Sequence, residues 1–114
     1  MKTIKIKEWN DLPKGYTGIA TGNNGIYWYK NGNFHREDGP AVVIYYKNKK
    51  DWYLDGKYIW SSSSKFDVTN KIVLSKTQHP LYPTVQVWKI LDLERVYDQI
   101  IIPGMEEFIT EWIR

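Results

Sequence analysis

The densest cluster of ionisable groups in this 114-residue chain is His35-Arg36-Glu37-Asp38. A histidine beside carboxylates can serve as a general base, and an arginine can clamp a phosphate. On an extended chain, however, alternate side chains point to opposite faces, so these four cannot all converge on one reacting atom. The competing reading is structural. Asp38 then bonds to backbone amides in a turn, while His35 and Arg36 pack on aromatic neighbours. His79, the second histidine, precedes a proline in a loop and is a weaker candidate for a base or ligand. The chain has no cysteine, which excludes a thiolate zinc site, a disulfide framework and a cysteine nucleophile. Two histidines cannot build a three-histidine metal site. There is no phosphate loop, dinucleotide fingerprint or serine elbow. The expectation is no catalytic residue, no metal and no cofactor: a binding protein rather than an enzyme.

The elements around this cluster come from an internal repeat. Residues 17–35 and 41–59 align without a gap at an offset of 24. Trp28 falls on Trp52, Tyr29 on Tyr53, Asn31-Gly32 on Asp55-Gly56, and Phe34 on Tyr58. Asn-Gly and Asp-Gly between aromatic runs signal type I′ hairpins, because both central residues need positive φ. Ile26–Lys30 should therefore pair with Asn33–His35, and Asp51–Leu54 with Lys57–Trp60. Gly22-Asn23-Asn24-Gly25 and Lys47-Asn48-Lys49-Lys50 close the remaining hairpins of an antiparallel meander. Ile4 and Ile6 alternate with Thr3, Lys5 and Lys7, as in an edge strand with one face in the core. Gly39-Pro40 turns the chain sharply between the two copies.

The string Trp28-Tyr29-x-Asn31-Gly32-x-x-His35-Arg36-x-Asp38-Gly39-Pro40-Ala41 resembles a tandem repeat of uncharacterised phage, giant-virus and bacterial proteins, similar to the MORN-type β-hairpin repeat. The second copy ends at Trp52-Tyr53-Leu54-Asp55-Gly56-Lys57-Tyr58-Ile59, without a second His-Arg-x-Asp-Gly-Pro-Ala, and looks like a terminal copy. Leu12–Gly18 looks like the lead-in to such an array. The resemblance covers about residues 9–60. It implies scaffolding, membrane-surface or protein contacts, with antitoxin roles among related bacterial repeats, and it brings no catalytic residues.

Beyond the repeats, four serines at 61–64 form a polar connector. The expected organisation is a repeat region at 1–60, a connector at 61–70, and a hairpin plus helix at 71–114, packed with the repeats as one domain. Lys71–Ser75 reads as a short strand, and His79–Pro83 as irregular chain. Thr84–Leu91 and Val96–Ile102 form a further hairpin around Asp92–Arg95. Met105, Phe108, Ile109, Trp112 and Ile113 share one helical stripe, so Met105–Arg114 is expected to be a short amphipathic helix. The fold class is mainly β (α+β). It comprises an antiparallel hairpin meander of two 24-residue repeats, a further β-hairpin and that C-terminal helix.

The net charge is +3 and unevenly spread. Residues 1–60 carry +4, residues 61–90 carry +3, and residues 91–114 carry −4. No apolar run approaches the roughly 18 residues of a membrane span, and the N-terminus is charged where a signal peptide is apolar. A cytoplasmic protein with no membrane partner is expected. Six tryptophans and nine tyrosines exceed what one small core requires. Along each strand Trp28, Ile44 or Trp52 should fill the core, leaving Tyr27, Tyr29, Tyr45 and Tyr53 on the outer sheet face. With Lys47, Lys49 and Lys50 in the basic turn, or Glu106, Glu107 and Glu111 on the acidic helix, these are the candidate partner-binding residues. The leading functional expectation is a small non-enzymatic interaction module from a phage or mobile element. Its partner would be a host protein, for example a CRISPR effector or another defence nuclease that it inhibits. The alternatives are a β-sheet that binds single-stranded nucleic acid or nucleotides, an antitoxin-type partner protein, and a structural repeat module that oligomerises through its edge strand; the apolar helical stripe could also serve as a dimer or partner contact.

Overall fold

The 24-residue offset in the sequence is an offset of strands in space. In the computed structural model, which describes residues 1–64 and 71–108, β2 (Gly18–Thr21), β3 (Gly25–Lys30) and β4 (Asn33–Phe34) make the first copy. The second copy comprises β5 (Val42–Ile44), β6 (Lys49–Leu54) and β7 (Lys57–Ser61). A leading strand, β1 (Thr3–Lys5), precedes them. The chain divides into two compact units: Met1–Arg36 with Pro40–Ser63, and Glu37–Gly39 with Ser64–Arg114.

The first unit is one sheet in the order β1-β2-β3-β5-β6-β7, with β4 beside β3. All its pairings are antiparallel except β1 with β2, which is parallel, so the leading strand departs from a pure meander. β4 and β5 occupy the same edge of β3. Tyr29 pairs with Phe34, while Tyr27 pairs with Val42. Between them the chain leaves the sheet at His35 and returns at Ala41. Both short turns have the expected positive φ: 51° and 81° at Asn31-Gly32, 48° and 81° at Asp55-Gly56. Gly25 has another role. A Cβ there would run into the Val43 carbonyl, so only glycine lets β3 and β5 approach.

The core of this unit corrects the expected facing of the tyrosines. Tyr27 and Tyr29 are each only 6 % exposed and cluster with Ile6, Tyr16, Ala20 and Val42. Phe34 and Tyr53 pack against that cluster, half-buried. The reason is the lead-in segment, which folds over the tyrosine face. The Trp9 ring meets Tyr27 edge-on at 5.0 Å, and Tyr16 meets Tyr29 at 6.2 Å. The Phe34 ring lies tilted against both Tyr29 and Tyr53, with centroids 5.1 Å apart in each pair. Trp52 is buried as expected, while its repeat mate Trp28 is half-buried beneath the Arg36 guanidinium.

The second unit contains a three-stranded antiparallel sheet of β8 (Lys71–Gln78), β9 (Gln86–Asp92) and β10 (Arg95–Ile101), in the order β10-β9-β8. The expected hairpin is therefore extended by a third strand, longer than the Lys71–Ser75 run suggested. Alternation in β9 holds: Trp88 and Ile90 are buried, whereas Lys89 is exposed. Lys76 lies over the Trp88 ring at 4.2 Å. After Pro103-Gly104 the chain forms one 3-10 turn, Met105–Phe108, instead of the first turn of an α-helix. Its Met105 is buried, and the thioether accepts from the Ile102 N–H at 3.2 Å. The rest of the expected helix, including Glu111, Trp112 and Ile113, lies outside the described residues. No helix among the described residues is long and apolar enough to cross a membrane.

Candidate functional site

The His35–Asp38 cluster is a joint between the repeats. His35 is buried, and its Nδ1 accepts the backbone N–H of Asp55 at 2.9 Å. The Arg36 N–H donates to the Tyr53 carbonyl at 3.1 Å, and the Gly56 N–H to the Phe34 carbonyl at 2.9 Å. The Arg36 guanidinium stacks 4.0 Å above the Trp28 ring and donates to the Pro40 carbonyl at 3.1 Å. These contacts commit the histidine and the arginine to stitching copy to copy. His79 is engaged locally: its Nδ1 accepts the Leu81 N–H at 3.1 Å. Among the described residues, no group of three or more His, Asp or Glu side chains could hold a metal ion.

The candidate contact residues divide sharply. Tyr27 and Tyr29 are core. Burial raises both phenols above their usual pKa, Tyr29 to about 12. Tyr53 is half-buried and is also pushed up, by burial first and then by Asp51 and Tyr58. Lys50 is half-buried in β6. Tyr45, Lys47 and Lys49 are exposed and lie together at the β5–β6 connection. Glu106 and Glu107 are exposed on the 3-10 turn of the second unit.

The β5–β6 connection is the most aromatic exposed turn of the first unit. A 3-10 turn, Tyr46–Asn48, carries positive φ at Lys47 (61°) and Asn48 (49°). This reverses the chain so that Tyr45 and Tyr46 project, 53 % and 76 % exposed. The Lys47 ammonium sits 5.4 Å from the Tyr46 ring. The Tyr45 N–H donates to the Asn24 carbonyl at 2.9 Å, tying this loop to the β2–β3 turn. The result is two exposed phenol rings with lysines around them, on a hairpin loop tied to the β2–β3 turn.

Beside the loop runs a groove of about 450 Å³ lined by Lys5, Lys7, Thr21, Gly22, Asn23 and Tyr45. An adjoining hollow of about 180 Å³ reaches Glu8, Trp9, Asn24 and Tyr27. The parallel pairing of Lys5 with Thr21 brings the β1 lysines to the β2–β3 turn. Sequence reasoning missed Lys5, Lys7, Trp9, Asn23 and Tyr46 as surface candidates. The alternation of Lys5 and Lys7 with Ile4 and Ile6 already placed both lysines on one face, but a parallel neighbour was not foreseeable from it.

No family model, characterised protein or solved structure matches this chain.

Proposed function

We propose that the chain is a small non-enzymatic interaction module, which seizes a partner protein with the Tyr45–Lys49 hairpin loop. The observation that carries this is the projection of Tyr45 and Tyr46 beside Lys47 from a turn tied to the β2–β3 turn. Tyrosine gives large contact area for little lost side-chain entropy, and interface hot spots are rich in it. The lysines favour an acidic partner surface and accelerate encounter. The resemblance to viral repeat proteins suits a phage or mobile-element protein that blocks a host factor such as a defence nuclease. An antitoxin-type partnership would use the same loop. Burial of Tyr27 and Tyr29 counts against base stacking on the open sheet, since it removes two of the four aromatics such a platform would use.

The test begins with affinity capture from host cells and identification of the bound protein. Calorimetry on the purified pair follows. A Tyr45→Ala, Tyr46→Ala double variant should weaken binding at least about tenfold, roughly 1.4 kcal/mol or more. Leu81→Ala, at an exposed position in the second unit, should leave it unchanged. Equal affinities for the double variant and the unaltered protein would refute this surface.

A further inference from the structure

We infer that the groove between β1 and the β5–β6 loop binds a nucleoside monophosphate, with the phosphate at Lys5 and Lys7 and the base on Trp9. This site does not depend on the protein contact proposed above.

Three features point to that class of ligand. The first is charge. Lys30, Lys49, Lys71 and Lys89 each have an aspartate within 4.0 Å. Among the described residues Lys5 and Lys7 have none, and both line the groove. Lys5 ends β1 and Lys7 lies in the bend after it, and both side chains border the same groove. Two flexible ammoniums so placed can bracket a tetrahedral dianion, and their charges match a phosphate monoester at neutral pH.

The second feature is the set of neutral polar groups along the exposed rim of the two spaces. The side-chain amides of Asn23 and Asn24 and the Tyr45 hydroxyl have no hydrogen-bond partner among the described residues. They offer donors and acceptors to sugar hydroxyls. The third is the aromatic end. Trp9 is 57 % exposed, and its edge-on contact with Tyr27 holds the ring upright while leaving it area for stacking. Glu8 lines the hollow beside it. Its carboxylate caps the Asp11 N–H, while the Asp11 carboxylate accepts the Lys7 and Glu8 N–H groups, and this negative charge disfavours a second phosphate. The two spaces together fall in the range of small-ligand sites, about 300–1,000 Å³.

The experiment is a titration of the unaltered protein with three probes, followed through backbone amide resonances: adenosine monophosphate, adenosine and inorganic phosphate. Adenosine monophosphate should shift Lys5, Lys7, Asn23 and Asn24 saturably, binding at least about tenfold more tightly than either fragment. A Lys5→Gln, Lys7→Gln double variant should bind the nucleotide no better than the unaltered protein binds adenosine. Trp9→Ala should bind it no better than the unaltered protein binds phosphate. Lys5 and Lys7 are exposed, so the fold should tolerate their change, and because Trp9 also packs on Tyr27, a second variant, Trp9→Leu, keeps an apolar cover there while removing the stacking ring. Absence of saturable shifts at millimolar nucleotide, saturable shifts confined to residues outside the groove, or phosphate binding as tightly as the nucleotide would each overturn the assignment. Because no partner protein is present, failure here leaves the loop proposal standing.

Discussion

The Nδ1 atom of His35 accepts a hydrogen bond from the Asp55 N–H at 2.9 Å, across 20 residues of chain. One turn earlier, Thr17 Oγ1 accepts from the Asn31 N–H, also at 2.9 Å. Asn31 and Asp55 are repeat mates at the 24-residue offset. Each type I′ turn therefore delivers its first N–H to a side chain of the preceding segment. The two acceptors are not themselves repeat mates: Thr17 lies 14 residues before its turn and His35 lies 20 before its own, so each turn docks through a different side chain.

Replacing His35 by alanine leaves the Asp55 N–H without its acceptor and opens a hole at a buried position. Urea denaturation should show a loss of about 1–3 kcal/mol. Thr17→Val, at an exposed site, should cost less, about 1 kcal/mol. Equal and negligible losses for both would mean that the turns hold by backbone contacts alone.

Leu93 sits in the β9–β10 turn with φ of 56° and its side chain 70 % exposed. A left-handed conformation costs a branched residue about 1–2 kcal/mol, and exposure recovers little by burial. Leu93→Gly should therefore stabilise the protein, by about 0.5–1 kcal/mol once glycine's extra chain entropy is deducted. A lower denaturation midpoint for the variant would show that Leu93 makes contacts worth more than its strain.

Alkali should unfold the first unit through its tyrosines. Tyr27, Tyr29 and Tyr53 all have phenol pKa values raised, chiefly by burial, with Tyr29 at about 12. A raised folded value means that the fold favours the neutral phenol. That contribution is complete below the unfolded value of about 10 and disappears as pH climbs toward 12. Denaturation midpoints should be flat up to about pH 10 and then fall. Tyr29→Phe should flatten the decline. A decline that begins at neutral pH, or one unchanged in the variant, would contradict the assignment.

Much of this architecture is legible in the chain. Trp28-Tyr29 over Trp52-Tyr53, with Asn-Gly over Asp-Gly, specifies two hairpins, because positive φ at paired turn residues admits few alternatives. Which face of those hairpins is covered is a different matter. Tyr and Trp both suit a buried or an exposed face, so period-two alternation cannot choose between them. The choice lies with Trp9 and Tyr16, which fold over the tyrosine face from the lead-in segment before the repeats. The groove was hidden for a related reason. Lys5 and Lys7 reach the Asn23-Asn24 turn only through a parallel pairing that joins residues about 16 apart. The Lys47–Lys50 turn was legible as basic and Tyr45 as an exposed ring, whereas Tyr46, the more exposed of the two, carried no signal in the alternation.

The most direct test of the interaction surface is hydrogen exchange of the chain, alone and with its purified partner protein. Amides of residues 45–49 should slow on binding, while those of the exposed strand β8 keep their free rates. Protection of β8 with no change at residues 45–49 would contradict the Tyr45–Lys49 loop as the contact.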